Sequence, residues 1–450
     1  PAPNVIREQA SQLHHPLLPT IRFDPKQGLT PDEAAVLAIL INPSLRAVRD
    51  QRQAASAQLL QAGILPNPQL AYNADFVTGG DTLGTFNAYG LGLSWDIISL
   101  LTHDAKVQAA RAQAGSVQLD IAWQEWQIAE AAKTAAYDLV AIDRQLDLAK
   151  AIDEKLAANV KILQRAVDQH QRSIIDLAAA DAAARDAHAA VLALQQQQGH
   201  QRLMLLRALG LPASTPVKLR PDIPLPTALA LPSEQALNAG LATHRLDLIA
   251  LRAGYASEEQ TLRAAVLAQF PNISIGYNQA SDTSNVHTSG IGVTIDLPIF
   301  DRNQGAIATE RATRQRLFDE YTNRVFEARS DVAIALADIR AITAQIADAR
   351  AAIPALQRLV NTYKEAYDRG NADVISYYTA VTDLQQHSLN VVKLEQSLAD
   401  NRAALELAAG WYFPAGGSAA TRPAVRIPAA GATTAPAIAP ATHPAKGGRP

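Results

Sequence analysis

The side chains that could do chemistry are scattered along this chain rather than grouped. It has ten histidines and no cysteine. Only His14 and His15 are adjacent, and nothing has the spacing of metal ligands. No glycine-rich phosphate loop occurs, and the neighbouring carboxylates of Glu258 and Glu259 lie in a charged helical stretch. We therefore predict no enzyme activity, no cofactor and no metal site.

One polar segment has a defined local chemistry. Tyr367 is followed by Gly370 and then by Asp373. A glycine ends a helix because it adopts a left-handed backbone conformation cheaply, and an aspartate caps the next helix well. The segment therefore predicts a tight turn between two helices. A related segment has His170 at the glycine position and Ser173 at the position of Asp373.

The helices that carry these turns show a seven-residue repeat. Apolar and aromatic side chains recur in steps of three and four from Val332 to Tyr367, and the same frame occurs 200 residues earlier, from Ala132 to Val167, with Asp153 as the one break. Such a frame predicts coiled-coil helices, and its recurrence predicts a tandem duplication. A helix of about 67 residues reaches ~100 Å, so the molecule should be elongated.

Each copy also contains a segment with a period of two residues, which predicts a β-hairpin at 68–96 and another at 272–297. One face of each strand is aliphatic and aromatic, and the other holds Asn, Asp, Ser, Thr and Gly. Apolar outside and polar inside is the requirement of a membrane barrel, and four strands are too few to enclose a lumen, so several subunits would share one barrel. The predicted lipid-facing side chains are Tyr72, Phe76, Trp95, Tyr277, Ile291, Val293 and Ile295.

Periodicity alone leaves a second interpretation open. The two hairpins could pack face to face as a small sandwich that caps a soluble coiled coil. In both interpretations the long helical columns remain.

The segments follow the same order in both copies. An extended arm (1–28) precedes the first copy (29–210), a proline-rich linker (211–232) leads to the second copy (233–410), and a tail rich in proline and alanine (411–450) is predicted to be disordered. Within a copy the order is helix, hairpin, long helix and return helix. The long helices are predicted over 103–169 and 301–369, and the return helices over 173–209 and 373–409.

Composition excludes one class of partner. The formal net charge is −3, and Lys and Arg are mixed with acids throughout, so no nucleic-acid footprint is visible. No apolar run approaches the ~20 residues of a spanning helix. Any passage through a membrane would therefore use strands.

The start of the second long helix resembles a known family. From Asp296 to Gly305 the chain reads Asp-Leu-Pro-Ile-Phe-Asp-Arg-Asn-Gln-Gly, directly after a Gly-x-Gly strand. This stretch, within a duplicated layout, resembles TolC-type outer-membrane efflux proteins. Its Phe-Asp-Arg-Asn-Gln-Gly sequence is most similar to the CzcC-like branch, whose members are the outer-membrane partners of heavy-metal resistance-nodulation-division (RND) pumps. The resemblance covers 29–411.

The resemblance implies a mainly α fold with a small β part. Three subunits would each give four strands to a 12-stranded β-barrel in the bacterial outer membrane, in contact with its lipid. Duplicated antiparallel coiled-coil helices would continue it as an α-barrel tunnel through the periplasm. The homotrimer would be a passive exit duct for heavy-metal cations, supplied by an inner-membrane RND pump through a periplasmic adaptor protein. The alternatives are the same duct for drugs or other small molecules, or a soluble coiled-coil scaffold.

The resemblance also implies a gate at the far end of the helices. In related channels polar contacts between the two helical hairpins tie the closed tip, and here they would join Tyr367 to Asp176. The family's ring of acids inside the tip would fall at Ser376 and Thr379, which are not acidic. The expected tip residues are Tyr367, Gly370, Asp373, Asp176, Ser376 and Thr379.

Overall fold

The computed structural model describes residues 8–13, 15–18, 27–81 and 83–413. The predicted disordered tail (411–450) starts too early, because Trp411 and Phe413 are buried in the core beyond the last helix. The rest of the tail, and much of the predicted arm, lie outside the described residues. What is described is mainly helical with a four-stranded antiparallel sheet, which confirms the predicted fold class.

The two copies contain the same elements in the same order. The first consists of α1 (Pro31–Ile41), α2 (Ser44–Gly63), β1 (Gln69–Asp75), β2 (Ala88–Asp96), α3 (Ile98–Asp168) and α4 (Ile174–Leu209). The second consists of α5 (Glu234–His244), α6 (Leu246–Leu267), β3 (Asn272–Ser281), β4 (His287–Asp296), α7 (Gln304–Asp368) and α8 (Val374–Ala409).

Each copy has two helices before its hairpin, where the sequence suggests one. In the first copy Pro43 follows Asn42, whose ψ of 120° is extended, because a proline disfavours the helical conformation of the residue before it. In the second copy Arg245 makes the break with ψ 110°. Its guanidinium binds the Asp247 carboxylate and the Ala408 carbonyl, which fixes the bend.

The long helices pack along the predicted seven-residue frame. Helix α3 has 71 residues and α7 has 65, so each is ~100 Å long. Every position of the frame is buried or half-buried in both copies, as a coiled-coil seam requires. The one polar position, Asp153, meets His188 of α4 at 3.1 Å between Oδ2 and Nδ1. Within the described residues, no helix has the length and apolar character needed to cross a membrane.

The four strands form one meander that joins the two copies. The order is β1-β2-β3-β4, and β2 pairs with β3 across the repeat boundary. In register, Leu93 lies between Leu70 and Tyr277, and Tyr277 pairs with Ile291. Strands β1 and β4 are the two edges.

The core between the copies is built around the middle of α3. Trp126 is 0% exposed and packs with His15 of the N-terminal arm and Tyr412 beyond α8. Next to it, the Lys133 ammonium is buried and donates to the Glu406 carboxylate. His15, Tyr412 and Glu406 therefore all pack against the first copy.

Candidate functional site

The ends of the two long helices form turns of the same geometry. Gly370 has φ 79°, and His170, at the matching position, has φ 58°. In both turns the residue at this position donates its N–H to a carbonyl three residues earlier, Val167 or Tyr367, at 2.9 Å. The left-handed conformation that favours glycine is thus imposed on a histidine in the first copy.

A short side chain caps each return helix. Ser173 Oγ accepts the Ile175 N–H at 3.1 Å. Asp373 Oδ1 accepts the Ser376 N–H at 2.7 Å, and this hydrogen bond lowers the pKa of Asp373. Both caps satisfy amide groups that a helix start leaves without partners.

We call the turn at 169–173 the first tip and the turn at 369–373 the second tip. Arg172 joins the first tip to the last turn of α7, which leads into the second. Its Nη2 donates to the backbone carbonyl of Tyr367 at 3.2 Å, and its Cζ lies 4.4 Å from the centre of the Tyr367 ring. The side chain therefore combines a charge-assisted hydrogen bond with a cation–π contact. Both contacts run from the turn after α3 to the last turn of α7.

The expected Tyr367 to Asp176 tie does not take the form of a hydrogen bond. Among the described residues the Tyr367 hydroxyl is buried and has no hydrogen-bond partner. Burial raises the pKa of Tyr367, the Arg172 charge opposes this, and the Asp176 charge adds to it. Asp176 is thus close enough to act through its field, while Arg172 makes the direct contact. Arg172 contacts the Tyr367 main chain and ring face, and not its hydroxyl.

A second contact joins the copies about three turns of α3 from the tip. Asn159 Nδ2 of α3 donates to the Tyr378 hydroxyl of α8 at 2.5 Å. Tyr378 is 6% exposed and lies beside the Tyr377 ring, with centroids 5.2 Å apart. This hydrogen bond satisfies a hydroxyl that would otherwise be buried alone.

The remaining predicted tip residues carry no charge. Ser376 Oγ donates to Asp373 at 3.2 Å, so it completes the cap, and Thr379 is exposed one turn further along α8. No group of three or more His, Asp or Glu side chains in the described part of the chain is arranged to hold a metal ion. The roles of these residues in a gate stay a prediction.

The sheet has one apolar face, and that face is open. Alternation and register put the predicted lipid-facing side chains on it, and all of them are exposed: Tyr72 67%, Phe76 69%, Trp95 40%, Tyr277 50%, Ile291 82%, Val293 59% and Ile295 50%. The Trp95 indole N–H donates to the Pro66 carbonyl at 2.8 Å, which holds the ring at the helical end of the sheet. Contact of this face with lipid stays a prediction.

The opposite face is polar and made of small side chains. One row across all four strands is Ala71, Gly92, Asn278 and Gly290. A Cβ added at Gly92 would lie 2.8 Å from the Asn278 amide oxygen, so a side chain larger than hydrogen would displace that amide. The carboxylates of this face belong to Asp75, Asp96 and Asp296, which lie at the ends of β1, β2 and β4.

Sequence reasoning missed Arg172, Asn159 and Tyr378. Nothing in the heptad frame marks them, because their contacts run between copies rather than along the seam. One signal was present for Arg172. Ala372 stands at the matching place of the second tip, so the two tips differ at this position.

Known proteins share this architecture. The family model described as Outer membrane efflux protein matches residues 239–411, which is most of the second copy. A search of curated protein sequences finds no match.

Several solved structures are similar over most of their length. CusC aligns with a TM-score of 0.69 and 17% identity, over 89% of this chain and 98% of that one. VceC of Vibrio cholerae aligns with a TM-score of 0.70 and 18% identity, over 85% and 97%. The outer-membrane channel OprN aligns with a TM-score of 0.71 and 16% identity, over 89% and 95%.

The fold is therefore that of outer-membrane efflux channels. The family match to the second copy supports the TolC-type resemblance seen in the sequence. Neither comparison bears on the CzcC-like branch.

Proposed function

We propose that three copies of this chain form a channel of the TolC type in the bacterial outer membrane. The observation that carries the proposal is the sheet, which has an exposed apolar face and, within the described residues, unpaired edges at β1 and β4. A lone sheet of this kind is a poor structure in water. Pairing β4 of one chain with β1 of the neighbouring chain would remove the edges. It would also turn the apolar face to lipid and enclose the polar face.

The duplication supports the same assembly through the helices. Helix α3 packs against α1, α2 and α4 of its own repeat and against α6 and α8 of the other, whereas α7 packs mainly against α5, α6 and α8. Trp126 of α3 is 0% exposed, and Phe326, 200 positions later on α7, is 69% exposed. If α7 has the same surroundings in the assembly as α3 has within the chain, α2 and α4 of the neighbouring chain cover Phe326.

The soluble-scaffold alternative requires the hairpins to bury their apolar faces against each other. Instead they lie side by side in one sheet, and Trp95 and Tyr277 remain 40% and 50% exposed. This arrangement favours the channel.

We further propose that the cargo is cationic, with heavy-metal ions as the first candidates. The two hairpin segments, 69–96 and 272–296, contain five aspartates and neither lysine nor arginine. Alternation puts Asp75, Asp96 and Asp296 on the polar face. A wall with fixed acids and no fixed cations favours the passage of cations over anions. Cationic drugs fit the same wall, so cargo has to be tested in cells.

In this proposal the chain supplies the passive last step of export. An inner-membrane pump of the RND type would provide the energy, and a periplasmic adaptor would meet the helical tips. Arg172 and Tyr367 would then help to hold the tip closed at rest.

A cross-linking experiment tests the assembly. Leu45 and Leu248 are both 0% exposed at the starts of α2 and α6, so Arg46 matches Ile249, which lies in the same core cluster as Trp126. The chain has no cysteine, so Phe326→Cys with Arg46→Cys introduces one defined pair. We expect a disulfide-linked trimer of the 48.0 kDa chain in detergent, and no cross-link from either single variant. A monomer in both oxidised and reduced samples would exclude the proposed assembly.

Two measurements test the cargo. In planar bilayers with a salt gradient, we expect the reversal potential to indicate cation selectivity, and the triple variant of Asp75, Asp96 and Asp296 to asparagine to reduce it. In cells, deletion of the gene should lower tolerance to divalent metal ions. Unchanged tolerance to every such ion would remove the metal assignment and leave the duct.

A further inference from the structure

The segment between β4 and α7 is longer than the duplication requires. In the first copy only Ile97 separates the end of β2 from the start of α3, whereas residues 297–303 separate β4 from α7. Those seven residues form a loop, which we call the β4–α7 loop, at the helical end of the sheet. It has no counterpart after β2.

Hydrogen bonds hold the β4–α7 loop in one conformation. The Ile299 N–H donates to the Leu297 carbonyl at 2.8 Å, and the Asn303 N–H donates to Asp301 Oδ1 at 2.8 Å. Asn303 has φ 59°, and its side-chain amide donates to the Ala265 carbonyl of α6 at 2.8 Å. The loop is therefore fastened to the helical body, and Asp301 is turned toward the loop's own backbone.

The apolar face of the sheet continues into this loop. Alternate positions of β4 are exposed and apolar, and the alternation runs on through Leu297, 71% exposed, and Ile299, 66% exposed. Phe300 is next and is 91% exposed. A side chain of this size and exposure has no partner in the described chain, and it lies where the apolar band of the sheet ends.

An arginine follows immediately, and it lines two adjoining cavities that are open to solvent. Arg302 Nε donates to the Pro298 carbonyl at 3.3 Å, which directs the guanidinium along the loop. It lines adjoining cavities of about 440 and 470 Å³, and Arg311 of α7 lines the second. No carboxylate lines either cavity; the other lining residues are Gln269, Leu297, Pro298, Ile299, Phe300, Gln304, Ile307 and Ala308.

We propose that the β4–α7 loop binds a glycerophospholipid, with its phosphate at Arg302 and Arg311 and its acyl chains on Leu297, Ile299 and Phe300. The inference rests on the proposed function, since it needs this end of the sheet to lie at a membrane surface. An arginine fork matches the oxygens of a phosphate. Apolar side chains followed at once by cationic ones also match the sequence of acyl chain and headgroup.

Native mass spectrometry of the full chain in detergent tests the site, with phosphatidylglycerol as the titrated lipid. We expect the unchanged protein to retain bound lipid, and Arg302→Gln with Arg311→Gln to need about tenfold more lipid for the same occupancy. Phe300→Ala should weaken retention as well, because it removes apolar contact. Arg358→Gln is the matched control, since Arg358 is exposed on the same helix and ~70 Å from Arg311, and it should change nothing.

Two results would overturn the site. One is equal retention by the double-arginine variant and the control. The other is displacement of the lipid by inorganic phosphate at equal concentration, which would make this a free-phosphate site. Conductance and trimer formation are measured on the same samples. Normal channels without lipid retention would count against this site alone, and lipid retention by a non-conducting monomer would count against the proposed function alone.

Discussion

Arg172 holds Tyr367 by its backbone and its ring at once, with 3.2 Å to the carbonyl oxygen and 4.4 Å to the ring centre. The two residues belong to different copies of the duplicated unit. The contact is one-sided, because Ala372 occupies the place of Arg172 in the second tip. The second tip therefore offers no equivalent arginine to the first.

Loss of this tie should open the tip. In the proposed channel, Arg172→Ala removes a charge-assisted hydrogen bond and a cation–π contact at a partly exposed site, together worth about 1–2 kcal/mol. We expect a higher open probability in planar bilayers. Tyr367→Phe is the control and should change conductance little, because its hydroxyl has no hydrogen bond among the described residues. A large effect of Tyr367→Phe with none of Arg172→Ala would reverse the assignment.

The Asn159 to Tyr378 hydrogen bond should contribute to stability. Asn159→Leu leaves the buried Tyr378 hydroxyl without a partner, at a cost of about 1–3 kcal/mol. The double variant with Tyr378→Phe should recover much of the loss, since neither polar group remains. Thermal unfolding at fixed protein concentration measures the four proteins of this cycle. Additive losses would mean that the two side chains do not interact.

The buried pair of Lys133 and Glu406 should be costly to break. Lys133 is 1% and Glu406 0% exposed, and burial raises the pKa of the neighbouring Glu130 well above its usual range. Lys133→Met removes the ammonium but keeps Arg402, whose Nε also donates to Glu406 Oε1 at 3.0 Å. We expect a loss of about 1–3 kcal/mol in the free energy of unfolding.

Lys133→Met combined with Glu406→Gln should not restore that loss. The second change takes the carboxylate away from the buried Arg402 guanidinium, so the unfolding midpoint should not rise above that of Lys133→Met alone. A higher midpoint would show that Arg402 does not need the Glu406 charge.

Asp400 should make stability depend on pH. Burial, and then the charge of Asp138, raises its pKa from 3.8 to about 7, and its Oδ1 is buried without a partner among the described residues. The folded protein therefore holds this proton more tightly than the unfolded chain does. The contribution of this protonated carboxyl to folding stability is fully present below pH 3.8, declines as pH rises and is lost above about pH 7.

Asp400→Asn removes this dependence. At pH 8 the variant should be more stable than the unchanged protein by about 1–2 kcal/mol, a value reduced for partial exposure to solvent. At pH 4 the two should be nearly equal. Asp383→Asn, at an exposed position of the same helix, is the control, and a gain of equal size at both pH values would exclude ionisation of Asp400 as the cause.

The fold class follows from the sequence because its two periods are long and clean. The steps from Val332 to Tyr367 fix which side of α7 is buried, and the alternation from Tyr89 to Trp95 fixes a two-faced strand. Both signals are local in the sequence. The pairing of β2 with β3 and the central position of α3 depend on contacts between distant parts of the chain, so neither period predicts them.

The candidate site was predictable only where backbone geometry demands a residue type. Gly370 and Asp373 follow from turn and cap chemistry. Arg172 does not, because a long side chain reaching a distant carbonyl leaves no periodic trace. The β4–α7 loop was hidden for a related reason, as the predicted helix start at 301 overlooks Asn303, whose side chain binds α6.

The two unpaired sheet edges also constrain how the molecule can be made. A newly synthesised chain that folds its helices first still exposes β1, β4 and the apolar face of the sheet to water. Exposed strand edges of this kind are a template for uncontrolled pairing. In the proposed assembly, a chain must therefore meet two other chains, or a chaperone that shields its strands, before its edges pair in the wrong register. The concentration of chains during synthesis, as much as their sequence, would decide between an assembled pore and an aggregate.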